Sequence, residues 1–177
     1  MATRAELLDG AIEVLRRGDA LTLDAVARET GLTKPGVVHH FKTKEGLSTA
    51  VVDRITQRWE NELHVRLGDT TGTARTRLRA YVDFCLTEEF DASDLALLAD
   101  QRLREDLSRQ WVDRIGPWFG ADIGGGLAQH PRLQAARLLA DGAWFNQALG
   151  VVDMTDHQKR AVREVALQLI DDEEEEK

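Results

Sequence analysis

The sequence predicts an all-α protein, and three observations support this fold class. Apolar residues recur at three- and four-residue spacing along most of the 177 residues. The chain has only three prolines, and no segment alternates apolar and polar residues as a half-buried strand does. Hydrophobic residues make up 42% of the sequence, enough for a packed core, and no apolar run reaches the roughly 18 residues that cross a bilayer.

Two helices are predicted before the first clear turn. The first covers residues 3–17, where Thr3 followed by Glu6 forms the sequence pattern of a capping box. The second covers residues 24–30. Gly31 comes directly after it, and glycine is the residue that most often takes the left-handed conformation at the end of a helix. A turn is therefore expected at this glycine.

A third, short helix and a long fourth helix follow this turn. Thr33 is placed to cap the third helix, and Pro35 falls in its first turn, where a missing N–H costs nothing. The third helix is expected to end near Phe41. The fourth covers residues 44–67, because an apolar residue occupies every fourth position on one face. These residues are Leu47, Val51, Ile55, Trp59, Leu63 and Leu67.

Five further helices are predicted from the same periodicity. They lie near residues 73–89, 95–99, 103–119, 131–150 and 155–171. With the first four, they make about nine helices. The residues after 171 are almost all acidic, and a block of like charges is expected to be frayed or disordered.

Charge is distributed unevenly along the chain. The formal net charge is −8, which by itself argues against a nucleic-acid partner. However, residues 1–66 carry ten basic and ten acidic groups, so the whole excess lies in residues 67–177. Residues 33–44 carry three lysines and no acidic residue. The N-terminal part is therefore neutral, with one basic segment.

The second and third helices, with the turn between them, match the pattern of a DNA-binding helix-turn-helix. In that motif the second helix enters the major groove and its N-terminal residues contact base edges. Small residues at this edge allow close approach, and lysines there reach guanine acceptors or phosphates. The candidate contacts among the residues of this segment are Thr33, Lys34, Gly36, Val37, His39, Lys42 and Lys44.

The segment LTLDAVARETGLTKPGVVHHFKTKEGLSTAVVD also resembles the N-terminal signature of the TetR family of bacterial transcriptional regulators. The resemblance covers about residues 4–53. It implies an all-helical homodimer of about nine helices per subunit that binds a double-stranded, palindromic DNA operator. It further implies a C-terminal body that binds a small-molecule effector and dimerises.

The resemblance also assigns roles to individual residues. The positions at which the family reads DNA correspond here to Thr33, Lys34, Pro35, Gly36 and His39. The position at which the family contacts a phosphate corresponds to Lys44. One position departs from the family pattern. The residue before His39 is usually a tyrosine that contacts the DNA backbone, and here it is Val38, which has no hydroxyl donor.

Three functional segments are expected. Residues 1–46 form the DNA-binding domain, residues 47–171 form the ligand-binding and dimerisation domain, and residues 172–177 form an acidic tail. Ligand pockets are mostly apolar and aromatic with a few polar groups. On this basis the candidate ligand contacts are Tyr81, Phe84, Trp111, Trp118, Trp144 and Gln147. The alternative is that these aromatic residues only fill the core.

The helices near 131–150 and 155–171 are the candidate dimer interface. Twelve of the nineteen residues at 133–151 are apolar, which is too many for one buried stripe. Paired with Val162, Val165, Leu169 and Ile170 of the last helix, this segment could form a four-helix interface with a second copy. The alternative is that it is the central helix of a monomeric body.

Catalysis and metal binding are not expected. No phosphate loop, Ser/His/Asp grouping or paired-carboxylate signature stands out, and the five histidines lack the spacing of a helical metal site. The single cysteine, Cys85, lies on an apolar face and is expected to be buried and inert. It suits a reducing cytoplasm, and the N-terminus does not resemble a secretory signal.

The function predicted is therefore that of a cytoplasmic transcriptional regulator without a cofactor, released from its operator by a small apolar or aromatic ligand. Two alternatives stay open on the sequence alone. One is a helical ligand-binding protein or enzyme whose N-terminal domain is only structural. The other is an adaptor that uses this domain to dock a protein.

Overall fold

The computed structural model describes residues 3–68, 72–98, 100–120 and 122–175, with only the backbone of Leu97 and of residues 173–175. Over these ranges the chain is helical and has no strand, as predicted. The α-helices are α1 (Arg4–Arg16), α2 (Leu23–Glu29), α3 (Lys34–Phe41), α4 (Lys44–Leu67), α5 (Ala74–Thr87), α6 (Arg104–Ile115), α7 (Pro131–Ala148) and α8 (Asp156–Glu175). Short 3-10 helices cover Ala92–Leu98, Gly116–Phe119 and Leu127–Gln129.

The helix starts follow the predicted capping chemistry. Thr3 accepts a hydrogen bond from the Glu6 backbone N–H while the Glu6 carboxylate accepts one from the Thr3 N–H, which confirms the capping box. Thr33 caps α3 by accepting a hydrogen bond from the Gly36 N–H, without the return bond of a capping box. Gly31 takes a φ of 67°, so the turn between α2 and α3 uses the left-handed conformation that glycine adopts without strain.

Three helices differ from the predicted ranges by more than two residues at one end or in helix type. The short helix near 95–99 is a 3-10 helix at Ala92–Leu98. The helix predicted at 103–119 ends as an α-helix at Ile115 and continues as a 3-10 helix, because Pro117 lacks an N–H and its ring crowds the carbonyl four residues earlier. The last helix runs to Glu175, past the predicted start of the acidic tail at 172. Residues 176–177 lie outside the described residues.

The chain forms two compact units. The first consists of Met1–Gln57 together with Asp91–Val112, so a segment predicted within the ligand-binding domain packs with the N-terminal helices. Its core is apolar, and polar contacts bind the inserted segment. Arg16 donates to Asp91 at 2.7 Å, and Gln110 donates to the Thr49 carbonyl at 3.1 Å. The predicted functional boundary at residue 46 stays a prediction.

The second unit consists of Arg58–Phe90 and Asp113–Lys177. Within it, α5, α7 and α8 pack against one another. Trp59 is 1% exposed and lies at the centre of an aromatic cluster. Its ring lies 5.0 Å from that of Phe84, 5.2 Å from Phe90 and 5.1 Å from Trp144, all edge to face. Among the helices described, none is long and apolar enough to span a membrane.

Candidate nucleic-acid interface

The third helix presents one apolar face and one polar face. Val37 is fully buried and Phe41 is 5% exposed, so these two residues anchor α3 in the core of the first unit. The prediction of Val37 as a DNA contact is therefore wrong, because the helical repeat places it on the inner face of α3. Lys34, Pro35 and His39 are exposed on the other side. The polar, N-terminal edge of the helix is therefore accessible, which is the edge that a helix-turn-helix presents to the major groove.

Gly36 lies on this accessible edge. A methyl group placed on its Cα would lie 3.5 Å from Thr33 Oγ1 and 3.9 Å from the Leu32 side chain, which are ordinary contact distances. Alanine therefore fits at this position, although glycine is the weaker helix former. The packing of the described residues gives no reason for a glycine here.

Two of the three lysines in the basic segment are already paired with carboxylates of the protein. Lys34 Nζ forms an ion pair with Asp24 Oδ2 at 2.8 Å, and Lys44 Nζ forms one with Asp100 Oδ2 at 2.6 Å. The Lys44 ammonium, with the Arg102 backbone N–H, holds the pKa of Asp100 below its ordinary value. The sequence carries no signal for this partner, because Asp100 is brought to Lys44 only by the packing of the inserted segment.

Lys42 joins α3 to α4 in an unusual backbone conformation. Its φ is 56°, and it is the one residue other than glycine with a positive φ among those described. This conformation costs about 1 kcal/mol or more for a residue with a side chain. The Lys42 side chain is exposed, so it extends into solvent beside the C-terminal end of α3. Val38, where the related family has tyrosine, is half-buried on the same helix.

The candidate ligand contacts are divided between the two units. Trp111 belongs to the first unit, and the other five residues belong to the second. Phe84 and Trp144 pack on Trp59, while Trp118 packs on the ring of His64 at 4.8 Å. These aromatic rings are buried against neighbouring rings, so their contacts in the structure are those of a core. Their role in ligand binding stays a prediction.

The candidate ligand contacts Tyr81 and Gln147 each donate a side-chain hydrogen bond. The Tyr81 hydroxyl donates to Asp141 Oδ1 at 2.7 Å, and Gln147 Nε2 donates to Glu89 Oε2 at 2.5 Å. Burial raises the pKa of Tyr81 well above its ordinary value, and the neighbouring Asp141 carboxylate acts in the same direction. Burial likewise raises the pKa of the Cys85 thiol, which is 2% exposed, as expected for an inert cysteine.

An apolar stripe is exposed on the second unit. Leu138 and Phe145 of α7, and Leu149 directly after the helix, are 57%, 38% and 48% exposed, and they lie at the spacing of one helix face. On α8, Val165 is 54% exposed. Ile170, predicted in the same interface, is instead 1% exposed, so it packs inside the second unit.

Comparisons with known proteins agree with these features. Residues 7–51 match the family described as bacterial regulatory proteins of the tetR family. Residues 75–171 match the family described as the tetracyclin repressor-like C-terminal domain. The two matches cover both ends of the chain, including the helix-turn-helix and the exposed apolar stripe.

Individual relatives are named as HTH-type transcriptional regulators. An uncharacterized HTH-type transcriptional regulator of Mycobacterium tuberculosis is 30% identical over 165 residues, covering 78% of this chain and 70% of that protein. The HTH-type transcriptional regulator BetI of Escherichia coli is 29% identical over 162 residues, covering 82% of each chain.

Solved structures share the fold. A transcriptional regulator from Pseudomonas aeruginosa PAO1 matches with a TM-score of 0.64 and 20% identity, over 95% of this chain and 88% of that one. The multidrug binding protein EbrR, complexed with imidazole, matches with a TM-score of 0.59 and 18% identity, over 94% and 88%. The helix-turn-helix, the family matches and the curated relatives together show that the chain belongs to the TetR family of bacterial transcriptional regulators and is a DNA-binding regulator.

Proposed function

We propose that the chain is a repressor that binds a palindromic operator as a homodimer and leaves it when a small effector binds. It acts by binding rather than by catalysis, in the cytoplasm, where its operator lies. The observation that carries this proposal is the accessible N-terminal edge of α3, which is held by buried Val37 and Phe41 and exposes Lys34, Pro35 and His39.

Base readout is assigned to this edge. Thr33, Lys34, Pro35, Gly36 and His39 all lie on it. Lys34 and His39 have side chains that hydrogen-bond to base edges, and Gly36 lets the helix backbone approach the DNA closely. Together these residues specify the sequence of one operator half-site.

Phosphate contact is assigned to Lys42 and Lys44. Both follow α3 directly, so they flank the helix that enters the groove. Lys44 must exchange Asp100 for a phosphate, and Lys34 must release Asp24 to reach a base or phosphate. The Lys34–Asp24 pair is exposed on both sides, and exposed ion pairs contribute only about 0–1 kcal/mol, so its exchange costs little. The Asp100 side chain is only 13% exposed, so the exchange at Lys44 leaves a largely buried carboxylate and costs more.

Dimerisation is assigned to the exposed stripe of α7 with Val165 of α8. Several large apolar side chains exposed on one helix face are typical of an interaction site in a folded protein. A twofold pair of these helices would form a four-helix interface, and a twofold dimer matches the symmetry of a palindrome. The two α3 helices would then occupy successive major grooves, about 34–36 Å apart.

Effector response is assigned to the second unit. The predicted contacts that this unit contains are Tyr81, Phe84, Trp118, Trp144 and Gln147, whereas Trp111 belongs to the first unit and is left out of this assignment. The two α3 helices of a dimer can lie at different distances from each other. An effector shifts the population of dimers only as far as it binds the dimer better at one of these distances than at another. Release therefore requires an effector that favours a spacing unsuited to the two grooves.

A gel-shift assay with DNA flanking the protein's own gene tests the DNA-binding function. We expect a complex whose affinity falls steeply with salt. Lys44→Ala should weaken binding to every DNA sequence and reduce the salt slope by about one. Lys159→Ala, which removes a lysine of the second unit, is the matched control and should leave the slope unchanged. The absence of a salt-sensitive complex with any flanking fragment, at micromolar dimer, would contradict the proposal.

A further inference from the structure

A cavity of about 360 Å³ with both charged and apolar lining lies within the second unit, between the last turn of α4, α5 and α8. Its volume falls in the range of small-molecule sites. None of the aromatic residues predicted to contact a ligand lines it. The charged lining is formed by Arg66, Arg79, Arg163 and Asp83, and the apolar lining by Leu67, Ala80 and Leu167.

The charged lining has an excess of positive charge. Asp83 Oδ1 accepts a hydrogen bond from Arg163 Nε at 2.5 Å, and its Oδ2 lies 3.5 Å from Arg66 Nε. One carboxylate is thus shared by two guanidinium groups. Arg79 adds a third guanidinium, so the lining carries three positive charges and one negative charge.

The remaining partners of these arginines lie outside the lining. Arg79 pairs with Asp171, and Arg66 pairs with Glu62 and Glu88. The side chains of these three acidic residues are 41–60% exposed. Exposed ion pairs are weak and are readily exchanged for a better-placed anion. A ligand anion in the cavity can therefore replace them.

Arg66 also retains unused hydrogen-bonding capacity. Its side chain is 17% exposed, and its Nε is buried without a hydrogen bond to any group in the described part of the chain. The 3.5 Å separation from Asp83 Oδ2 is an ion pair rather than a good hydrogen bond. A buried donor left in this state is unfavourable, and an oxygen acceptor entering the cavity would satisfy it.

We propose that this cavity binds a small organic carboxylate. The carboxylate pairs with the guanidinium groups, whose planar donors match its geometry, and the hydrocarbon part lies against Leu67 and Leu167. Arg66 lies on the same continuous helix, α4, as Lys44. Carboxylate binding is expected to reduce operator affinity. Only this regulatory part of the inference rests on the proposed function.

Calorimetric titration of the free protein tests the site directly. The probes are sodium hexanoate, benzoate and phenylacetate, with hexanamide, benzamide and phenylacetamide as uncharged counterparts and inorganic phosphate as an anion without an apolar part. We expect at least one carboxylate to bind with a dissociation constant below 1 mM, roughly the weak end of specific binding. Its amide and phosphate should each bind at least about tenfold more weakly, because each lacks one half of the recognition.

Substitutions of the arginines that line the cavity test whether the carboxylate binds there. Arg79→Gln and Arg163→Gln should each weaken the carboxylate about tenfold or more, whereas Arg109→Gln, at an exposed arginine of α6, should not. The Arg66 Nε–H resonance in a ¹H–¹⁵N spectrum should shift on titration in the unmodified protein, which provides a readout if either variant folds poorly. Three results would each overturn the inference. The first is that no carboxylate binds at concentrations up to about 10 mM, and the second is that phosphate binds equally well. The third is that both variants bind the carboxylate normally and the Arg66 resonance does not shift.

A final titration separates this inference from the proposed function. The carboxylate that binds is added to the preformed operator complex, and we expect release that Arg79→Gln abolishes. If no operator complex forms in the absence of carboxylate, the proposed function fails while the binding site stands. If the complex forms but the bound carboxylate does not release it, the regulatory part of the inference is overturned.

Discussion

At the residue scale, folding stability and DNA binding favour different residues at the position of Gly36. Room for a methyl group exists at this position, and alanine is the better helix former by up to about 1 kcal/mol. Gly36→Ala should therefore raise the free energy of unfolding by roughly 0.5–1 kcal/mol, measured by urea denaturation. It should also weaken operator binding about tenfold or more, because the added methyl holds the helix away from the bases. A more stable variant with unchanged affinity would contradict the proposed close approach.

The pair of Lys44 and Asp100 leads to a second prediction at this scale. Asp100→Asn removes a carboxylate that competes with phosphate for Lys44, 2.6 Å away. We expect operator affinity to rise about three- to tenfold, with a steeper salt dependence, as measured by fluorescence anisotropy. In a Lys44→Ala background the same substitution should have much less effect, since the competition is then absent. An equal gain in both backgrounds would mean that Asp100 acts only through general charge.

At the scale of elements, α1 and α2 approach each other closely at Gly10. A Cβ at this position would lie 2.5 Å from Thr30 Cγ2, and the Thr30 hydroxyl is held by a 2.8 Å hydrogen bond to the Val26 carbonyl. Gly10→Ala should therefore destabilise the protein by about 1–3 kcal/mol, as overpacking does. Adding Thr30→Ser, which removes the methyl group and keeps the hydroxyl, should restore most of the loss in urea denaturation. Failure of the serine to rescue would locate the strain elsewhere.

The helices themselves were largely predictable because their signals are local. A capping threonine, a glycine after the last turn and apolar residues at every third or fourth position all lie within a few residues of the structure that they specify. The fourth helix, at Lys44–Leu67, agrees with its predicted range at both ends. The break at Gly116 lies inside the range 103–119, because apolar periodicity continues past the point at which Pro117 ends the α-helix.

The candidate site was only partly predictable, for a related reason. The residues on the edge of α3 follow from helix periodicity, but the partners of its lysines do not. Asp100 is far from Lys44 in sequence, and only tertiary packing joins them. The cavity of the second unit was also missed, since Arg66, Arg79 and Arg163 each look like ordinary surface arginines in their own helices. Buried aromatic residues do not locate the ligand pocket either, because the wall of a pocket and the core of a protein are built from the same kinds of side chain.

At the scale of the whole molecule, dimerisation should depend on the exposed stripe of α7. Leu138→Glu places a charge in the proposed interface, once from each copy. An uncompensated buried charge costs about 3 kcal/mol or more, so the dimer should weaken at least about 100-fold in sedimentation equilibrium. Val65→Glu is the matched control, because Val65 is 76% exposed and lies on α4, outside the stripe. A dimer that tolerates Leu138→Glu as well as Val65→Glu would contradict the assignment of this interface.

The segment Asp91–Val112 has a consequence for building chimeric regulators. Because it packs with Met1–Gln57, the unit that contains the helix-turn-helix is not one continuous stretch of sequence. A fragment cut at residue 46 or 57 lacks Asp91 and Asp100, which pair with Arg16 and Lys44, and it exposes apolar surface that Asp91–Val112 covers. Exchange of DNA specificity between relatives therefore requires both pieces to be transplanted together, and a graft of the N-terminal piece alone should express as an aggregating protein.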